Sequence, residues 1–148
     1  MSKKNIALLT GGNSSEIIIS LQSAEQLSQM IDKNLFNVFI INIGPDKWEG
    51  KGGDIEGILI DKNDFSLTTG TNKITFDCIF ISIHGTPGED GKLQGYFDML
   101  NIPYTTSDHC SSALTFNKYI CKNYLKPYNI YSSKTILLRQ HDPVETDK

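Results

Sequence analysis

The features that this 148-residue chain lacks already exclude several classes of protein. No apolar run approaches the ~20 residues that a membrane-spanning helix needs, and the first apolar stretch is too short for a secretory signal. The net charge is −3, with acidic and basic residues interspersed, so no basic face for nucleic acid is indicated. The composition therefore predicts a cytoplasmic protein that binds neither nucleic acid nor membranes.

Familiar metal and phosphate motifs are absent as well. The chain has three cysteines, an odd number with no CxxC pair, and its histidines share no metal-ligand spacing with them, so no metal site is predicted in this chain. Gly11 and Gly12 follow an apolar run, yet neither GxGxxG nor the Gly-Lys-Ser/Thr of a Walker A loop is present. A pocket for a small substrate near a helix N-terminus remains the interpretation of this glycine turn.

The apolar residues that are present alternate between strand-like and helix-like patterns. Strand-like runs cover residues 5–10, 37–43, 58–60, 78–83 and 134–138. Apolar residues recur every three or four positions across residues 17–31, which predicts a helix, and residues 107–128 are also predicted to be helical. Residues 44–77 are expected to form loops around one or two short strands. The succession predicts the α/β class, with a Rossmann-like parallel sheet flanked by helices.

Residues 84–91 form the most informative segment, because they connect the strand at 78–83 to a helix. In that helix, apolar side chains fall at i, i+3, i+4 and i+7, namely Leu93, Tyr96, Phe97 and Leu100. The loop itself contains one histidine, three glycines and two carboxylates, namely His84, Gly85, Gly88, Glu89, Asp90 and Gly91. Ligands of open α/β sheets bind at the carboxyl ends of the strands, so this loop is a candidate site.

The start of the first helix has a structural interpretation. A side-chain oxygen of Asn13, Ser14 or Ser15 is predicted to cap it. With Asn13 as N-cap, Glu16 falls at the third helical position and completes a capping box. Glu16 is therefore either a helix-start residue or a ligand-binding carboxylate.

Other candidates also have structural alternatives. Glu89 and Asp90 are predicted to stabilise the following helix and to hold the loop that presents His84. Gly95 is predicted to allow close helix packing, and Lys118 could be an ordinary exposed lysine.

Three blocks of sequence together resemble D-alanine–D-alanine ligases, which are ATP-grasp enzymes of peptidoglycan synthesis. The blocks are GGNSSEIIIS at 11–20, HGTPGEDGKLQGYFDMLNIPYT at 84–105 and SALTFNK at 112–118. The chain departs from the family pattern at Ile17, Thr106 and Asn117, where the family usually has His, Gly and Asp. The resemblance implies an N-terminal substrate-binding (pre-ATP-grasp) domain at 1–117. It also implies the incomplete beginning of the ATP-grasp central domain at 118–148.

The same resemblance implies roles for individual residues. Glu16 and His84 would be catalytic, with Glu16 binding the α-ammonium of the first D-alanine and His84 facing its reacting carboxylate. Ser20 and Gly85 would contact the same substrate, and Lys118 would reach an ATP phosphate.

The implied reaction joins two D-alanines through an acyl phosphate, with D-alanine and ATP as ligands and with Mg²⁺ or Mn²⁺. The metal ligands are expected beyond residue 148, so the chain alone is expected to be inactive, and a homodimer in the cytoplasm is expected for the enzyme. Two alternatives remain open. The second substrate could be D-lactate or D-serine, or the chain could be a non-catalytic α/β binding module.

Overall fold

The computed structural model describes residues 2–142, which alternate strands and helices. In chain order the elements are β1 (Lys4–Gly11), α1 (Ile17–Met30), β2 (Phe36–Ile43), β3 (Trp48–Lys51), β4 (Leu67–Thr69), β5 (Asn72–Ile74), β6 (Cys78–Ile81), α2 (Lys92–Leu100), α3 (His109–Phe116) and α4 (Lys118–Leu125). Short 3₁₀ turns lie at Gly53–Ile55 and Lys126–Tyr128. None of the helices in this part of the chain is long and apolar enough to span a membrane.

The main sheet has four strands in the order β3-β2-β1-β6. Strand β1 pairs in parallel with β2 and β6, whereas β3 pairs antiparallel with β2 at one edge. β4 and β5 form a separate antiparallel hairpin. The predicted α/β class is thus confirmed, and the antiparallel edge strand is an addition that makes the sheet mixed.

The core is built around β1, whose last six residues are all buried, as expected for a central strand covered on both faces. Side chains alternate between the faces of a strand, so Ala7 and Leu9 share one side of the sheet. They belong to a cluster that includes Phe65 and Phe97, both fully buried. Helix α1 packs against β1 and contributes Ala24 to the buried residues.

Two predicted strands are wrong. Residues 58–60 form only an isolated bridge between Leu59 and Glu49, because Trp48–Lys51 takes the place beside β2. Residues 134–138 are not a strand, and Ile136 and Leu138 are exposed. A strand requires a neighbour for its backbone hydrogen bonds, and within residues 2–142 no strand lies beside this segment.

Candidate functional site

The candidate site forms where β1 and β6 end side by side. Leu9 of β1 is in register with Ile81 of β6, so the loops that follow the two strands leave the sheet together. The backbone N–H of Asn13 donates to the carbonyl of Thr86 at 2.9 Å, which joins the two loops directly. The glycine turn after β1 and the loop at 84–91 are therefore one structural unit.

The backbone of His84 is held at both of its polar groups by serines from the other side of this unit. The N–H of His84 donates to Oγ of Ser20 at 3.0 Å, and Ser20 is fully buried. The carbonyl of His84 accepts a hydrogen bond from Oγ of Ser14 at 3.0 Å. One side chain that precedes α1 and one from its first turn thus fix the backbone from which the His84 imidazole projects.

Gly85 lies directly beside the carboxylate of Glu16. Its φ of +74° is in the left-handed region that favours glycine, and an added Cβ would lie 3.0 Å from Oγ of Ser14. The same Cβ position is 3.5 Å from Oε2 of Glu16. The structure therefore brings together four of the five predicted site residues, namely Glu16, Ser20, His84 and Gly85.

The predicted capping box at Glu16 is wrong. Glu16 occupies the N-cap position of α1 and makes no side-chain capping hydrogen bond, because the helix begins only at Ile17. Its backbone N–H donates to Oγ of Ser14 at 3.2 Å, so Ser14 holds the helix entry as well as His84. The Glu16 carboxylate is exposed, so it is accessible to a ligand.

The two carboxylates of the loop have the loop-holding contacts that the sequence predicted. Oε2 of Glu89 accepts the N–H of Gly85 at 2.9 Å. Asp90 accepts hydrogen bonds from the Thr86 hydroxyl and from Nζ of Lys92, the latter at 2.6 Å. Burial raises the pKa of Asp90, but these hydrogen bonds outweigh it and the net pKa lies below its ordinary value. Both side chains therefore act as hydrogen-bond acceptors within the loop.

The glycine that permits close helix packing is Gly91, not Gly95. An added Cβ at Gly91 would lie 2.6 Å from the carbonyl oxygen of His109, at the start of α3. The nearest atom to such a Cβ at Gly95 is 3.9 Å away, an ordinary contact distance. Helix α3 therefore approaches the candidate site through the end of the loop.

Lys118 lies apart from the other predicted residues, at the first position of α4. Asn117 caps this helix by accepting the N–H of Ile120 at 3.1 Å, so the Asn that departs from the family pattern still does what a capping Asp would do. Lys118 is exposed and borders a cavity of about 490 Å³. Gly88 and Glu89 of the loop border the same cavity, so the loop and Lys118 both contribute to its lining.

Gln94 is a site residue that the sequence did not reveal. It is fully buried on α2, and its Nε2 donates to the carbonyl of Gly88 at 2.7 Å and to Oγ1 of Thr106 at 3.0 Å. Helical periodicity indicated the apolar face around Leu93 and Phe97 but carried no signal for a polar side chain on it.

Metal ligands are not gathered in the described part of the chain. Among residues 2–142, no three His, Cys, Asp or Glu side chains are grouped closely enough to hold a metal ion. These residues therefore do not fit a divalent cation, and no chemical step is assigned to a metal here.

Comparison with known families identifies the fold and the loops described above. The family profile described as D-ala D-ala ligase N-terminus matches residues 5–107. The chain belongs to this D-alanine–D-alanine ligase N-terminus family. The matched residues include the loops that contain Glu16 and His84 but end before Lys118.

Individual relatives of this ligase family agree with the match. The chain is 43% identical to the D-alanine–D-alanine ligase of Bacteroides fragilis over 145 residues, which are 98% of this chain and 45% of that protein. It is 48% identical to the D-alanine–D-alanine ligase of Azobacteroides pseudotrichonymphae, covering 95% of this chain and 44% of that protein. The chain thus spans a little under half the length of the curated relatives that it matches.

Solved structures of ligases have the same architecture. D-alanyl-alanine synthetase A from Vibrio cholerae superimposes with a TM-score of 0.84 at 31% identity, over 97% of this chain and 43% of that one. D-alanine–D-alanine ligase from Bacillus anthracis, solved in complex with ATP, gives a TM-score of 0.71 at 25% identity, over 96% of this chain and 43% of that one.

Proposed function

We propose that this chain is the substrate-binding part of an ATP-dependent ligase that joins two D-alanines for peptidoglycan synthesis. The observation that carries the proposal is the arrangement of Glu16 beside Gly85 and next to the doubly held backbone of His84. It lies within the residues that match the ligase family. The relatives named above are D-alanine–D-alanine ligases, which favours D-alanine over D-lactate or D-serine as the second substrate.

The chemistry of the site suits a small zwitterionic amino acid. An exposed carboxylate at Glu16 can form a charge-assisted hydrogen bond with an α-ammonium group. An N–H of the His84 imidazole can donate to the carboxylate end of the same molecule and offset negative charge as an acyl phosphate forms. Because the backbone of His84 is fixed by Ser14 and Ser20, this donor needs little reorganisation.

The proposed reaction has two steps. The carboxylate of the first D-alanine attacks the γ-phosphorus of ATP, giving an acyl phosphate and ADP. The amine of the second D-alanine then attacks the acyl carbon, an N–C bond forms, the C–O bond to phosphate breaks, and the amine loses a proton. In this scheme Lys118 contacts ATP, a role that the resemblance of residues 112–118 to the ligases implies. Its exposed position on the cavity that the loop also lines is compatible with that role, and the Bacillus anthracis relative was solved with ATP bound.

Other parts of the proposal rest on family membership alone. They are a cytoplasmic location, a homodimer, a requirement for Mg²⁺ or Mn²⁺, and a boundary between a substrate-binding domain at 1–117 and the start of an ATP-binding domain at 118–148. A non-catalytic α/β binding module is the alternative in which the loop binds D-alanine but no reaction follows.

A chimeric enzyme tests the proposal. The chain replaces the aligned part of the Bacteroides fragilis ligase, and formation of the dipeptide and of ADP is measured with D-alanine alone and with D-lactate or D-serine added. We expect ATP-dependent synthesis of D-alanyl-D-alanine by the chimera and none by this chain alone. A folded chimera that binds D-alanine without ligation would support the binding module instead, and phosphate release by the chain alone would contradict the assignment of catalysis to a larger protein.

A further inference from the structure

Gln94 connects the loop at 84–91 to the segment at 106–118. Its Nε2 donates to the carbonyl of Gly88, inside the loop that contains His84. The same nitrogen donates to Oγ1 of Thr106, in the segment that leads through α3 to Lys118. One buried amide group therefore ties the loop at 84–91 to the segment at 106–118.

This amide is an unusual choice for the buried face of a helix. Its neighbours on that face, Leu93 and Phe97, are apolar and are buried as deeply as Gln94. Within residues 2–142, Oε1 of Gln94 is buried and has no hydrogen-bond partner, which costs stability that an apolar side chain would not cost. Packing alone does not explain glutamine here, whereas the two hydrogen bonds of Nε2 do.

The two tied segments border one cavity. Gln94 lines the cavity of about 490 Å³ together with Gly88 and Glu89 of the loop and with residues of the second segment that include Thr106, Ser112 and Lys118. The loop contacts α3 closely at Gly91, where there is no room for a side chain. A shift of either segment would therefore displace the other. The two bonds from Gln94 therefore join lining residues that belong to both segments.

We infer that Gln94 is a positioning residue that fixes the His84 loop relative to the segment carrying Lys118. The inference rests on the proposed function, in which the loop holds D-alanine and Lys118 holds ATP. The distance between the reacting carboxylate and the phosphate then depends on a residue that touches neither substrate. Because an error of ~1 Å in such a distance can cost about 100-fold in rate, a buried tether of this kind has a catalytic consequence.

Hydrogen exchange on this chain tests the tether without any assay of activity. Gln94→Met keeps the length of the side chain and removes its carboxamide group. Exchange of the backbone N–H groups should therefore rise about fivefold or more in both 84–91 and 106–118, while the exchange rates in β1 stay unchanged. Thr106→Val removes the second acceptor and also the hydrogen bond from Thr106 Oγ1 to the carbonyl of Ser107 at 3.2 Å. The tether is therefore tested in 84–91, where exchange should rise as well, although less than in 106–118. Thr106→Ser keeps the hydroxyl and should restore the parent rates. If Gln94→Met fails to fold, the Thr106 pair decides, and unchanged exchange in 84–91 of Thr106→Val overturns the tether.

Kinetics of the chimera test the consequence. Gln94→Met and Thr106→Val should lower kcat/KM for D-alanine and for ATP together, by about tenfold for Gln94→Met, with Thr106→Ser close to the parent. Gln22→Met, at an exposed position of α1, is the matched control. If Gln94→Met lowers the melting temperature but leaves kcat and both KM values unchanged, Gln94 is only structural and the inference is overturned. If the unmodified chimera makes no dipeptide while exchange shows both segments loosening, the proposed function fails and the tether stands.

Discussion

At the scale of single residues, the carboxylate of Glu16 is exposed and makes no capping hydrogen bond in the fold. Ser14 holds both the helix entry and His84, whereas Glu16 makes no capping bond and its Oε2 lies near the loop at Gly85. A carboxylate in this position can bind an ammonium group without first breaking a structural contact.

Substitution of Glu16 tests this role. In the chimeric ligase, Glu16→Gln should reduce kcat/KM for D-alanine by about 10–150-fold, because a charge-assisted hydrogen bond is replaced by a neutral one. The urea midpoint of this chain should stay unchanged, since no capping bond is lost. Glu25→Gln on the exposed part of the same helix is the control. Parent kinetics for Glu16→Gln would leave Glu16 as a helix-start residue only.

Gly85 allows a second prediction at this scale. Gly85→Ala places a methyl group in a left-handed backbone and against Ser14, so we expect a loss of roughly 1–3 kcal/mol in the free energy of unfolding. Gly70→Ala is a matched control, because φ at Gly70 is +58° and nothing lies within 4 Å of the added Cβ. Gly85→Ala should therefore destabilise more than Gly70→Ala in urea unfolding. Equal losses in the free energy of unfolding would mean that the contact with Ser14 does not contribute to the effect.

At the scale of secondary-structure elements, the contact between α2 and α3 depends on one of two nearby glycines. Gly91→Ala should destabilise the chain by roughly 1–3 kcal/mol, because the methyl group would overlap the carbonyl oxygen of His109 in a backbone of φ +86°. Gly95→Ala should instead be neutral or stabilise by up to about 1 kcal/mol, because alanine favours the helix and the space is free. Denaturant unfolding of both variants measures the difference. A larger loss at Gly95 than at Gly91 would contradict the packing described here.

The elements that sequence patterns predicted are those whose signal is local. β1, β2, α1 and α2 lie within a few residues of their predicted ranges, because apolar spacing along the chain reports which side is buried. Strands at 58–60 and 134–138 were wrong, since a strand also needs a partner, and pairing is decided elsewhere in the chain. Residues 78–83 ended as a strand at Ile81, although the N–H of Ser82 still donates to the carbonyl of Leu9.

The candidate site divides in the same way. The loop at 84–91 could be predicted from its place between a buried strand and a one-sided helix. The serines around His84 could not, because Ser14 and Ser20 reach it across 70 and 64 residues of chain. Gln94 had no periodic signal at all, since its role follows from the distance between Gly88 and Thr106 in the folded chain.

At the scale of the whole molecule, two tyrosines link stability to alkaline pH. Burial, with nearby carboxylates adding to it, raises the pKa of Tyr96 and of Tyr104 to about 12 in each case, against an ordinary value of 10.0. The folded protein therefore holds these protons more tightly than the unfolded chain. Their contribution to stability is complete below pH 10 and is lost as the pH rises towards 12.

Urea unfolding across this range checks the prediction. The unfolding midpoint should fall between about pH 10 and 12, and Tyr96→Phe should make the fall shallower, because a phenyl ring has no proton to lose. Tyr131→Phe, at a fully exposed ring, controls for the substitution itself. If the unfolding midpoint fell with pH equally steeply in the parent and in Tyr96→Phe, Tyr96 would not contribute to the pH dependence of stability.

The last prediction concerns the proposed boundary at residue 117. Up to the segment paired with β6, where Ile79 bridges Tyr104, the chain closes its own sheet and core. Beyond α4, residues 130–142 contain no helix or strand. Ile136 and Leu138 are 84% and 59% exposed. Backbone groups without ladder partners exchange through small local openings, so amides in 130–142 should exchange far faster than those of Cys78–Ile81. Hydrogen exchange followed by mass spectrometry reports this difference directly. In the chimera, where further chain follows Lys148, the same segment should gain protection because it joins the ATP-binding domain. If 130–142 in this chain alone proved as protected as β6, the domain boundary would lie elsewhere. Lys118 would then lose its support as an ATP contact.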